Sequence, residues 1–141
     1  MDEWRGLEEH LKRAGVKHFS ARELSPRCGV PPAALWWNIL PTVAIADLLR
    51  AKFGRIGVNS GYRDRIYNKK VGGAKDSYHI KFNALDLRSL EGHDVGEMAL
   101  FLQLKGWKSL MGLGVYTGFI HIDTRVLMYG AEPWYHDYRS L

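Results

Sequence analysis

Apolar residues recur along this chain at two spacings, and the switches between them mark out its elements. Over residues 3–13, Trp4, Leu7 and Leu11 share one stripe at helical spacing, with Gly15 just past the end, so a short amphipathic helix is predicted there. Ser20 and Glu23 then form a capping-box pair, with Phe19 and Leu24 as a hydrophobic staple, and Pro26 cuts the resulting helix short. Pro31-Pro32 opens a longer helical stretch toward Lys52, in which Pro41 either kinks the helix or starts a second one in its own first turn. Ile45, Leu48, Leu49 and Lys52 keep the helical period before Gly54 ends it. Residues 94–105 repeat the logic, with Asp94 as cap, Glu97 three positions on, Met98, Phe101 and Leu102 facing inward and Gly106 as terminator.

Elsewhere the period drops to two. Ile56–Ser60, Ala84–Arg88, Gly114–Tyr116 and Phe119–Arg125 read as strands. The elements show no regular β-α-β alternation. The fold expected is therefore α+β: a single domain over residues 1–141, with a small, mainly antiparallel sheet flanked by helices and residues 1–17 as a helical extension. A length of 141 residues suits one domain, and 46% apolar content with 25% charged excludes a disordered tail, a collagen-like repeat or a coiled coil.

Charge and cysteine content narrow the chemistry. The net charge of +5 and pI near 9.4 favour polyanionic partners. Cys28 is the lone cysteine, so the chain holds no internal disulfide and no cysteine cluster for a metal. The longest apolar stretches, Ala33–Trp37 and Leu110–Tyr116, are too short to cross a bilayer, and the N-terminus lacks a signal-peptide pattern. The expectation is a product made in the cytoplasm, without a membrane partner, and delivered by other means to any place of action outside it.

Alternation places Leu85 and Leu87 on one strand face and Asp86 on the other; likewise Ile120 and Ile122 oppose His121 and Asp123. If those strands pair, Asp86, His121 and Asp123 converge. His79 precedes Asp86 with six residues between them, at the end of a polar loop. Two imidazoles and a carboxylate form a common zinc set that leaves one tetrahedral position open, the mark of a catalytic site. Spacing alone leaves a second reading open, in which His79 is a loop histidine and Asp86 caps a turn or pairs with Arg88.

Val58-Asn-Ser-Gly-Tyr-Arg63, Tyr67-Asn-Lys-Lys-Val-Gly-Gly-Ala74, Ser77-Tyr-His79 with Ala84-Leu-Asp86, and Gly112-Leu-Gly-Val-Tyr116 with Phe119-Ile-His-Ile-Asp-Thr-Arg125 occur in that order. Together with His18-Phe-Ser-Ala-Arg-Glu-Leu24, they make the chain from about His18 to Trp134 resemble the M15 zinc peptidases. These are D-alanyl-D-alanine carboxypeptidase-like enzymes, and the chain resembles most their short branch common in bacteriophages. The resemblance implies a zinc cleft with His79, Asp86 and His121 as ligands and Arg63 as the cation that orients substrate and stabilises an oxyanion. It also implies that Ser77 contacts substrate or holds the loop, and that Tyr62 and Tyr116, inside the matching motifs, contact substrate. Asp123 has three open roles: orienting a ligand imidazole, acting as the catalytic base, or pairing with Arg125 or Arg88.

The implied activity is cleavage of peptidoglycan stem peptides, as a carboxypeptidase or an endopeptidase, in a lysis enzyme or a virion component with other virion proteins as partners. Two positions depart from the family pattern. Phe82 stands where many members have a small glycine, and a ring there would narrow the cleft or reshape the loop. Gly118 stands where many carry a carboxylate base, so the alternative is a weakly active or inactive structural module of a phage tail. The basic cluster Arg63, Arg65, Lys69, Lys70, Lys75 and Lys81, interleaved with Tyr62, Tyr67 and Tyr78, supports a weaker rival, a nucleic-acid-binding surface. Trp134 and Tyr135 are candidates to line the cleft, whereas Trp36, Trp37 and Trp107 read as packing residues.

Overall fold

The N-terminal stripe folds as expected into helix α1, Glu3–Arg13, capped by the Asp2 side chain, which accepts from the Trp4 amide at 2.9 Å. The computed structural model describes residues 2–139; Met1, Ser140 and Leu141 lie outside the described residues. Leu7 and Leu11 are buried in the common core, and Gly15 takes a φ of +85° just beyond the helix. At Ser20 both capping-box hydrogen bonds form, yet the helix expected after it stops at a single turn. Its Leu24 carbonyl is claimed by the Tyr62 amide at 2.9 Å, and Pro26 follows, so no second turn can propagate.

Pro41 does start a new helix. A 3-10 segment, Ala33–Ile39, runs into α2, Leu40–Phe53, with Pro41 in its first turn and Gly54 at its end. Two short helices are not foreshadowed by the sequence pattern: α3, Arg65–Lys70, capped by Asp64, and α5, Arg125–Tyr129. Between them in sequence lies α4, Val95–Leu104, which carries the expected Asp94/Glu97 capping box.

Five strands form one sheet: β1 Ile56–Ser60, β2 Ala84–Ser89, β3 Gly112–Val115, β4 Ile120–Asp123 and β5 Trp134–Asp137. Their order is β1-β2-β4-β3-β5, antiparallel throughout except for the β3–β5 pair. The architecture is the α+β domain expected, with a fifth strand added at the edge. On one sheet face Leu85, Leu87, Leu113, Val115, Ile120 and Ile122 are fully buried, with α2 against β1 and β2 and α4 against β3 and β4. Burying each such side chain contributes roughly 1.5–3 kcal/mol. Among the described residues no helix is long and apolar enough to cross a membrane.

The opposite face carries the polar residues, and its register is locked from the end of β2. Buried Asn83 donates to Thr124 Oγ1 at 2.7 Å and to the Asn38 carbonyl at 2.9 Å, while its Oδ1 accepts from the Thr124 amide at 3.2 Å. Thr42 on α2 joins the same cluster, 2.9 Å from Thr124. Satisfied networks of this kind, deep in the core, tolerate one arrangement.

Phe82 corrects the expectation that its ring narrows the cleft. The side chain is fully buried and lies edge-on to Tyr62 at 6.0 Å, inside the core. Its backbone has a φ of 54°, the left-handed conformation that explains why glycine suits this position. Phe82→Ala should therefore cost about 3–5 kcal/mol in lost packing. Phe82→Gly loses the same ring but sheds a left-handed penalty of about 1–2 kcal/mol. In urea denaturation the glycine variant is expected to be at least as stable as the alanine variant, the reverse of the usual order. A clearly more stable alanine variant would show that this backbone carries no strain.

Candidate metal centre

The pairing of β2 with β4 sets Asp86 opposite His121 and Ala84 opposite Asp123. On its other side Asp86 lies opposite Ser60 of β1. The third member comes from the loop before β2. There the His79 amide donates to Ser77 Oγ at 3.1 Å, and the His79 carbonyl accepts from the Arg63 amide at 3.1 Å. These bonds pin a buried imidazole at the mouth of the strand pair.

His79, Asp86 and His121 each offer a ligand atom, all within 4.8 Å of one another, and form the one such group among the described residues. His79 Nε2 is 3.3 Å and His121 Nδ1 3.0 Å from Asp86 Oδ1. The far nitrogen of each ring is occupied. His79 Nδ1 lies 2.8 Å from the Gly61 carbonyl and donates to it, while His121 Nε2 lies 2.7 Å from Asp123 Oδ2. Once His121 releases the proton it shares with Asp86, as a ligand imidazole must, the lone pairs of His79 Nε2 and His121 Nδ1 both face the space beside Asp86 Oδ1. Two imidazole nitrogens and a carboxylate oxygen with their outer partners in place are a donor set that fits a divalent cation.

The electrostatics express the same crowding. Burial would raise the Asp86 carboxyl, but its bonds to His121 and His79 hold it well below the usual carboxylate range. Burial would lower His121, yet Asp123 and Asp86 outweigh it and push the imidazole up to about 9. His79 goes the other way, because its burial exceeds the help it receives from Asp86.

Asp123 bonds His121 and Arg125 at once. Besides His121, its oxygens accept from Arg125 Nε at 2.9 Å, Arg125 Nη2 at 2.8 Å, the Arg125 amide at 3.0 Å and the Gly112 amide at 3.1 Å. A Cβ on Gly112 would sit 2.6 Å from both Asp123 Oδ2 and Arg125 Nε, so only glycine lets this carboxylate dock. Arg125 itself lies between the rings of Tyr78, 4.4 Å away, and Trp134, 5.1 Å away. Arg88 bonds Asn59 rather than Asp86 or Asp123.

Arg63 reaches the cluster from the β1 side. Its Nη2 lies 3.7 Å from Asp86 Oδ2, with Nε held by Ser60 Oγ at 3.0 Å and Nη1 by Asn68 Oδ1 at 3.2 Å. Asn68 is buried and also donates to the Ala74 carbonyl at 2.9 Å; a Cβ on Gly73 would collide with its Oδ1. Asn68 and Arg125 lie within the quoted motifs, but their side-chain roles emerge only once the loops fold back.

A cleft of about 280 Å³ adjoins His121, lined in part by Asp76, Ser77, Tyr78, Tyr116, Trp134 and Tyr138. Tyr116 is stacked between Phe119 at 4.5 Å and Tyr138 at 4.6 Å, and burial beside Tyr138 pushes its phenol up to about 12. Ser77 both lines this cleft and holds the His79 amide. Tyr62 does not reach it. The residue is 9% exposed and packs in the core, because neighbours in an extended segment point to opposite sides and Arg63 takes the side facing Asp86. Trp134 lines the cleft, whereas Tyr135 borders a separate depression beside Lys108. Gly118 sits exposed in the β3–β4 turn, with open space where a Cβ would be.

A family model described as Peptidase M15 matches residues 12–123, a span that includes His79, Asp86, His121, Arg63 and Asp123 and stops before Arg125 and Trp134. No curated protein matches the chain.

The bond from His121 to Asp123 makes one outcome specific. In Asp123→Asn an amide replaces the acceptor, so the His121 proton can move to Nδ1, the nitrogen that faces Asp86. Cobalt(II) affinity, followed by titration, is expected to fall about 10–100-fold. Asp76→Asn, on the cleft wall, should leave it unchanged. Full affinity in Asp123→Asn would remove Asp123 from the centre.

Proposed function

The chain belongs to the peptidase M15 family, a metallopeptidase family, and on that footing we propose that it is a zinc-dependent peptidase cutting the stem peptides of peptidoglycan. The observation that carries this reading is the convergence of His79, Asp86 and His121 beside the Arg63 guanidinium and an open cleft. Nitrogen-rich mixed donor sets with a carboxylate suit zinc, and cysteine is not needed. The chemistry such an ion supplies is Lewis-acid activation of the scissile carbonyl and of a water molecule.

The chain's own residues do the positioning. Gly61 and Asp123 hold the two imidazoles in fixed tautomers, so neither ring must reorganise during reaction. Arg63, aimed by Ser60 and Asn68, presents a cationic fork at the edge of the cluster. There it can receive the carbonyl oxygen as charge develops, or a terminal carboxylate. Tyr116 and Trp134 wall the peptide cleft, and Ser77 keeps its floor attached to His79. Stem peptides suit the site because they end in carboxylates, which a chain of net charge +5 attracts. Under this reading the chain acts at the bacterial wall, as a phage lysis enzyme or as part of a virion.

Gly118 favours a second reading, a wall-associated module of low activity, since the β3–β4 turn carries no carboxylate at the place where a base stands in the pattern the chain resembles. Zinc-loaded protein incubated with purified peptidoglycan separates the two. The peptidase reading expects new amino groups with wild type, none with Asp86→Ala, and a rate about 10²–10³-fold lower with Arg63→Met. Wild type as inert as Asp86→Ala would overturn it. Activity appearing only in Gly118→Glu would then establish the low-activity module.

A further inference from the structure

The loop 73–77 divides two depressions. Ala74, Asp76 and Ser77 line the cleft beside His121, whereas Gly73 and Lys75 join Arg65, Asn68, Lys69 and Ile80 around a separate groove of about 420 Å³. That groove is lined by three cations and no carboxylate. Arg65, Lys69 and Lys75 are all exposed, and among the described residues none of them forms an ion pair within 4 Å.

Arg65 and Lys69 stand four residues apart on α3, so their like charges repel along one helix face. Lys75 faces the same groove from the loop. Among the described residues no carboxylate pairs with these three cations, and a ligand with several spaced anions would relieve their repulsion. Arginine's planar fork and two mobile ammonium groups suit phosphate oxygens.

We propose that this groove is a second binding site, one that holds the phosphodiester groups of a polyanionic polymer attached to the cell wall. The wall setting rests on the function proposed above; the anion site itself does not. A stem peptide being cut occupies the metal cleft, so the groove across the loop is left for a different part of the wall. No aromatic ring lines it, and single-stranded nucleic acid is ordinarily held by base stacking on such rings. A polymer of phosphates without bases fits better. The groove also backs onto Asn68 and Gly73, the residues packed against Arg63, so wall retention and the peptidase site share one loop.

The test compares purified bacterial walls that keep their phosphodiester polymer with the same walls stripped by hydrofluoric acid. Wild-type protein should sediment with the intact walls, with affinity falling roughly tenfold or more between 50 and 200 mM salt, as expected for about three phosphate contacts. Lys69→Glu/Lys75→Glu should bind at least tenfold more weakly, to the level wild type shows on stripped walls, while its kcat on a short soluble stem peptide at saturation stays at the wild-type value. Equal retention on stripped walls, or undiminished binding by the double variant, would overturn the proposal. So would tighter binding to a DNA fragment than to intact walls. A wild type that sediments as described but cleaves no peptide would count against the peptidase reading alone.

Discussion

The centre depends first on a register. Because β2 and β4 run antiparallel with Asp86 opposite His121, a carboxylate and an imidazole from distant parts of the chain meet without any loop having to reach. A one-residue slip of β2 would turn Asp86 into the hydrophobic core and bring Leu85 out, and a slip of β4 would do the same to His121, Asp123 and Ile122. The Asn83–Thr124–Thr42 cluster sits at the end of this pair and resists such a slip with bonds that only one register can satisfy. Core packing on one sheet face and site geometry on the other are thus set by the same alignment.

Charge is the second constraint. Asp86 and Asp123 are both buried, and an unpaired buried carboxylate is strongly unfavourable. Each has been given a guanidinium: Arg63 beside Asp86 and the bidentate Arg125 on Asp123. Those four charges cancel, so a cation entering beside Asp86 Oδ1 has only the proton held by His121 to displace. Arg125 further links the His79 loop to β4 and β5, since it touches Tyr78 next to His79, Asp123 on β4 and Trp134 on β5.

Much of this could be read before any coordinates. Period-two alternation separates the polar from the apolar face of β2 and β4 because one side of each strand is uniformly aliphatic. The capping signals at Asp94 and the proline at 41 marked real helix starts because both act through local backbone geometry. Local signals failed where tertiary contacts decide. The box at Ser20 formed without its helix, since Tyr62 claims the Leu24 carbonyl. Helix α3 is six residues with no apolar stripe, and β5 is a four-residue, partly exposed edge strand paired in parallel with β3, so neither carries a periodic signature. Motif membership does not say which way a side chain points, and here Tyr62 packs on Phe82 while Arg63 faces Asp86. The left-handed Phe82 was illegible for the opposite reason: a bulky residue hides a backbone requirement that glycine would have announced.

His79, Asp86 and His121 are a group that could hold a metal ion, with Gly61 and Asp123 deciding which ring nitrogens face it. A crystal of the zinc-loaded protein, measured on both sides of the zinc absorption edge, tests this directly. One strong anomalous peak is expected, bonded to His79 Nε2, an Asp86 oxygen and His121 Nδ1, with the Asp123 carboxylate still on His121 Nε2. A peak bonded through His121 Nε2 with Asp123 displaced, or no peak among these three residues, would contradict this reading.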